Sequence, residues 1–117
     1  RQRQARQAED EKEMAVRKEE SERAAKLLDK HLSEEQRKDL AAKGKFEVVS
    51  QSGEIYVIKR GYAGNAFSLD AKRRETAKYC IHPEDVPDHD AMLAQLLWLK
   101  WNEKEFLRVA NVTQLAA

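Results

Sequence analysis

Tyr79-Cys80-Ile81-His82-Pro83 leads through Val86-Pro87-Asp88 into the most apolar stretch of the chain, residues 92–101. A run of aromatic and apolar residues that stops at a proline reads as a strand end, because the residue before proline is pushed out of the helical region. A proline followed by aspartate reads as a helix start, with Asp88 and Asp90 beside the positive end of the helix dipole. This junction holds both tryptophans, both prolines, the only cysteine and two of the three histidines. It also limits the fold. Leu93, Leu96, Leu97 and Trp101 form an i, i+3, i+4, i+8 stripe, Met92 and Leu99 widen it, and Trp98 lies off its centre. A helix apolar over more than one face needs a sheet beneath it and a further surface beside it. The arm, the last helix or another chain can supply that surface.

The sheet lies upstream. From Lys45 the apolar period is two. Residues 46–50 and 54–59 flank Gln51-Ser52-Gly53 and predict a hairpin with a short glycine-containing loop. Gly61-Tyr62-Ala63-Gly64-Asn65 is a turn cluster, residues 66–69 and 76–82 read as two further strands, and residues 70–74 form the polar loop between them. Short strands with short links predict an antiparallel meander of three or four strands. After the apolar helix, residues 103–110 read as a shorter helix with Phe106, Leu107 and Val109 apolar, and residues 112–117 as a tail.

Residues 1–31 contain neither glycine nor proline, and the first 23 residues supply no Leu, Ile, Phe, Tyr or Trp. Gln, Glu, Lys, Arg and Ala are good helix formers, and Glu13 with Arg17, Glu19 with Arg23 and Glu22 with Lys26 sit at i,i+4. Met14, Lys18, Ser21, Ala25, Leu28 and Leu32 alternate at four and three residues, but only the last positions are apolar enough for a seam. The first half therefore reads as a solvated arm and the second half as a docking segment. Leu32-Ser33-Glu34-Glu35-Gln36 starts a second helix, with Ser33 as cap and Gln36 at the capping-box position. That helix spans residues 34–43, turns Leu40 and Ala41 inward, and stops at Gly44. The fold class is α+β: a long helical arm (1–31), a small domain (32–111) in which a short helix and the meander are covered by a C-terminal helix pair, and a tail (112–117).

Composition narrows the function classes. Twenty-two basic residues face 21 acidic ones, a net charge of +1, which gives no electrostatic reason for nucleic acid. Lys59, Arg60, Lys72, Arg73, Arg74 and Lys78 lie near Tyr56 and Tyr62 and imitate a base-stacking sheet, but no RNP-type motif accompanies them. A solvated basic face is the expectation. A single cysteine excludes an internal disulfide framework and suits a reducing compartment. No apolar run reaches the roughly 18 residues of a membrane span, no signal-peptide pattern is present, and the chain reads as trimmed at its start.

Cys80 and His82 share one face of a predicted strand, with Tyr79 and Ile81 on the core face. With His89 they are the metal-ligand candidates, since thiolate and imidazole both bind zinc. Their spacing matches no paired zinc module, and a half-buried apolar cysteine beside a histidine bonded to loop carboxylates explains the same residues. Same-face neighbours on a strand do not converge as nucleophile and base. No catalytic residue and no cofactor is therefore predicted. The residues expected to meet a protein partner are Met14, Ala25, Leu28, Leu32 and Trp98.

Gly64-Asn65, Tyr79-Cys80-Ile81-His82-Pro83, Val86-Pro87, Asp90, Met92-Leu93-Ala94-Gln95 and Phe106-Leu107-Arg108-Val109-Ala110-Asn111 together form a longer pattern, preceded by the helix start at residues 32–36. This pattern resembles a small domain found in bacterial and phage proteins and covers residues 32–111. The resemblance implies no activity and assigns no functional residue. It sets the expectation of a non-enzymatic interaction or assembly module, cytoplasmic or built into a phage particle, that uses its arm for self-association or for holding a protein partner. The alternative is a metal- or nucleic-acid-binding regulatory module centred on Cys80, His82 and His89.

Overall fold

A computed structural model describes residues 2–60, 66–81 and 88–115. Two helices, α1 (Gln2–His31) and α2 (Glu34–Lys43), precede the hairpin of β1 (Lys45–Val49) and β2 (Ile55–Lys59). Then come β3 (Ala66–Leu69), β4 (Glu75–Cys80), α3 (Asp88–Trp101), α4 (Glu103–Val109) and β5 (Asn111–Gln114). The turn cluster at residues 61–65, His82 and the loop at 83–87 lie outside the described residues.

Local chemistry sets the helix boundaries. Ser33 Oγ accepts from the Gln36 amide at 3.1 Å, and Gln36 Oε1 accepts from the Ser33 amide at 2.9 Å. This reciprocal pair satisfies two donors that a helix start otherwise leaves orphaned. Gly44 ends α2 at φ 71°, where a side chain would strain the backbone, and its amide donates back to Leu40 O at 2.9 Å. The same Gln36 side chain donates to Glu47 O at 2.7 Å, which ties α2 to the outer edge of β1.

The strands pair antiparallel in sequence order, β1-β2-β3-β4-β5. The predicted meander is present, and the stretch expected as a tail supplies a fifth strand. Gln114, Thr113, Val112 and Asn111 face Ala77, Lys78, Tyr79 and Cys80 of β4. All four β5 residues are exposed, so no apolar alternation marked the strand; its backbone bonds to β4 define it. Between β3 and β4 the register shifts at Ser68 and Leu69, and Thr76 Oγ1 lies 2.8 Å from Ser68 Oγ.

One face of the sheet carries the core. Phe46, Val48, Tyr56, Ile58, Ala66, Ala77 and Tyr79 pack against Met92, Leu93, Leu96 and Leu99 of α3 and Phe106 of α4. Tyr56, Tyr79 and Phe106 form an aromatic trio with ring centroids 5.6–6.2 Å apart, mostly edge-on, the geometry their quadrupoles favour. The helix stripe is rotated from the sequence expectation: Met92, Leu96 and Leu99 are fully buried, whereas Trp101 is 71% exposed. A helix apolar nearly all round has no single direction in its sequence, and here the neighbours α1, β1 and β2 choose it. In α2 only Leu40 is buried, and Ala41, expected to face inward, is exposed.

The core also reaches past the predicted domain boundary at residue 31. Ala24 and Leu28 of α1, and Leu32 just beyond it, are buried, with α1 lying against α3. The extra surface that the apolar α3 requires is thus supplied in part by the root of the arm.

Candidate functional site

Three places carry the residues that the sequence singled out or that the fold brings together. The first is α1. Thirty residues at 1.5 Å per residue make a helix of about 45 Å, and every residue from 7 to 23 is exposed. Met14 is 70% exposed, and Val16 is exposed as well. Of the expected partner-facing residues, Met14 is available, and Ala25 is half-buried. Leu28 and Leu32 are not available, because they are spent inside the chain's own core. Trp98 packs partly against that core, its ring 6.5 Å from Phe106. The seam read from α1 had the correct inward residues at its end, but its partner there is α3.

The second place is the end of β4. Tyr79 is buried and Cys80 half-buried, as the alternation of a strand requires. The strand ends at Cys80, and His82 lies outside the described residues. His89 is the second residue of α3 and is half-buried. Among the described residues no three His, Cys, Asp or Glu side chains gather into a group that could hold a metal ion. Three of the six basic residues singled out around the sheet pair with carboxylates, Lys59 with Glu75, Arg73 with Glu47 and Arg74 with Asp70, and Lys59 also sits over the Phe67 ring.

The third place is one that sequence reasoning missed. Glu103, the first residue of α4, is only 5% exposed. Its carboxylate accepts from the Ser52 amide at 2.8 Å, from Ser52 Oγ at 3.1 Å and from Tyr56 Oη at 2.9 Å. The Glu103 amide donates to Gln51 Oε1 at 3.3 Å, and the Gln51 amide donates to Leu99 O at 2.8 Å. The tip of the β1–β2 hairpin is thereby clipped to the α3–α4 corner. Burial pushes the Glu103 carboxyl upward, but the Ser52 and Tyr56 hydrogen bonds outweigh it and hold the group below its ordinary value. Burial raises Tyr56 far above the usual phenol range, and the adjoining Glu103 charge adds to this.

A groove of about 580 Å³ opens beside this network, lined by Ser52, Glu54, Tyr56, Tyr79, Glu103 and Leu107 among others. General acid–base chemistry requires a group poised near the working pH. Here the carboxyl is driven down and the phenol up, so neither exchanges a proton near neutrality. The network is a structural clip. A glutamate that opens a helix looks in sequence like an ordinary dipole partner, and only its distance in space to Ser52 and Tyr56 marks it.

Among the described residues no helix is long and apolar enough to cross a membrane. Comparison of the chain with protein families, with curated proteins and with solved structures finds no match in any of the three.

Proposed function

We propose that the protein is a non-enzymatic assembly module in which the sheet-and-helix body anchors the root of α1 and the free part of α1 pairs with the same segment of a second copy. The observation that carries this reading is the exposure of every residue from 7 to 23 on a helix that buries Ala24 and Leu28 in its following turns. An isolated helix shorter than about 12–15 residues is marginal in water even with good propensity, and most helical stability comes from packing an apolar face. Residues 7–23 pack no such face among the described residues, so Met14 and Val16 would gain burial against another molecule.

The charge order supports a second copy as that molecule. An antiparallel pair centred on Met14 sets Arg17 opposite Glu11 and Lys18 opposite Asp10, with Met14 against its own copy. Glu9 opposite Glu19 is the like-charged exception. Interhelical pairs of this kind set orientation more than they set affinity. The resemblance of residues 32–111 to a small bacterial and phage domain is the basis for reading a particle or packaging accessory as the setting.

Light scattering tests the arm. The comparison is between the full chain and a chain beginning at Ser21, which retains Ala24 and Leu28 in the core. The full chain is expected to contain more chains per particle than the shorter one, increasingly so with concentration. Equal numbers of chains per particle over the same range overturn the reading.

A further inference from the structure

The two edges of the sheet differ in how they are finished. At β1, α2 lies alongside, Gln36 occupies the outward Glu47 carbonyl, and Lys45 and Glu47 put charges on the strand. Covering and charge are the usual means by which a sheet edge is kept from pairing with another chain. Among the described residues β5 has none of these. It is Asn111-Val112-Thr113-Gln114, without charge, proline or glycine, and every residue is exposed. Among the described residues it pairs on one side only, with β4.

Its free side has a definite hydrogen-bonding pattern. The Leu115 amide donates to Thr76 O at 3.1 Å. In an antiparallel ladder the inward and outward groups alternate, so Asn111 and Thr113 also turn their amides and carbonyls to β4. Those of Val112 and Gln114 point away from the sheet. Val112, opposite Tyr79, is 45% exposed at the open margin of the helix-covered face.

We infer that β5 is a pairing edge for the β5 of a second copy, joining two sheets into one antiparallel sheet of ten strands (twice the five of one chain) with the helices on a single side. What commits the occupant to a second copy is self-complementarity: the outward groups sit at Val112 and Gln114, symmetrically about Thr113, and two such uncharged strands meet without like-charge repulsion. The register follows from the same bonds. A two-fold axis at Thr113 sets Val112 opposite Gln114 of the copy, so that the outward amides and carbonyls of both residues are used on both chains. An axis at Val112 would call on Ala110 instead, whose amide is already spent on Phe106 O at 3.0 Å. The Thr113 register also places two threonines side by side on the uncovered face, a favourable cross-strand pair. This contact is independent of α1.

The test uses the full chain with Met14→Glu and Val16→Glu, which silences the arm and leaves the body intact. Gln114→Pro is then added. It removes one outward amide, leaves the bonds to β4 in place, and imposes a φ that an edge strand tolerates. Val112→Lys, which puts a charge on the edge, serves as the second variant. Sedimentation equilibrium is expected to show a monomer–dimer equilibrium for the arm-silenced chain, with the dissociation constant raised at least tenfold by each edge variant and the circular dichroism unchanged. Amide exchange is expected to slow with rising protein concentration at Val112 and Gln114 and to stay constant at Thr113. A monomer at all concentrations overturns the inference, as does a dimer indifferent to both edge variants. Failure here leaves the arm reading standing, because the arm is judged on the chain with β5 unaltered.

Discussion

Glu103→Ala removes the acceptor at the centre of the clip between the hairpin tip and the α3–α4 corner. Three donors lose their partner: the Ser52 amide, Ser52 Oγ and Tyr56 Oη. Ser52 is exposed and its two donors regain water, whereas the hydroxyl of the buried Tyr56, at the wall of the groove, regains it least. A hydrogen bond to a charged group contributes about 1.5–3 kcal/mol, and an orphaned buried donor costs about 1–3 kcal/mol. With Tyr56 bearing most of the loss, the expected destabilisation is about 2–4 kcal/mol in urea unfolding at pH 7. Tyr56→Phe removes the stranded hydroxyl as well, so the double variant should be less damaged than the two single changes added together. The pH dependence has a fixed sign. The folded carboxyl lies below its ordinary value of 4.5, so its stabilisation is complete above that value and is lost as the pH falls through the lower folded one. Glu103→Gln cannot titrate, so the gap between it and the parent protein should narrow as the pH is lowered through the acid range. A Glu103→Ala chain within about 0.5 kcal/mol of the parent, the ordinary scatter of surface changes, would refute the clip.

The rotation of α3 makes a second prediction. Leu96→Ala, at a fully buried position, is expected to cost about 2–5 kcal/mol, and Leu97→Ala, at a half-buried one, about 1–2 kcal/mol; equal losses in denaturant unfolding would contradict the observed face. Gly44→Ala meets no atom within 4 Å at its new Cβ, so its only cost is the left-handed backbone, about 1–2 kcal/mol. Thermal unfolding should show that loss without any change in secondary-structure content. Removing the residues before Ser21 is expected to leave the body's melting temperature unchanged under conditions where the chain is monomeric. A chain beginning at Lys30 should melt several degrees lower, because Ala24 and Leu28 leave the core with the deleted segment.

The elements whose signals are local were legible. Ser33 with Gln36, Gly44, and the apolar alternation around Gln51-Ser52-Gly53 each announce a boundary through backbone chemistry confined to a few residues, and the structure puts boundaries there. What escaped depended on distant neighbours. β5 has no buried face and is a strand only because β4 presents unpaired backbone groups to it. The facing of α3 was ambiguous because its apolar residues nearly surround it, and the choice fell to α1 and the sheet. Glu103 was overlooked for the same reason, since the residues that bury it lie about fifty positions earlier in the chain. Leu28 and Leu32 were assigned the right character and the wrong partner: periodicity shows that a residue seeks cover without showing whether the cover belongs to the same molecule.

That last ambiguity bears on the arm and the edge together. Both are features the fold leaves unsatisfied, but in different currencies. Among the described residues, 7–23 find no surface on which to bury Met14 and Val16, and β5 pairs on one side only. A contact through side chains tolerates a change of partner if the partner offers an apolar stripe of suitable charge. A contact through backbone bonds is indifferent to side chains unless they carry charge or bulk against it. If both proposals hold, the arm sets which molecule is held, and the edge sets how the two sheets are aligned once it is held. Two two-fold contacts on different parts of the chain would give each copy two self-complementary surfaces. Unless a single two-fold axis passed through both, association would extend beyond a dimer, into a closed dihedral assembly or an open chain, and blocking either surface would limit it to pairs.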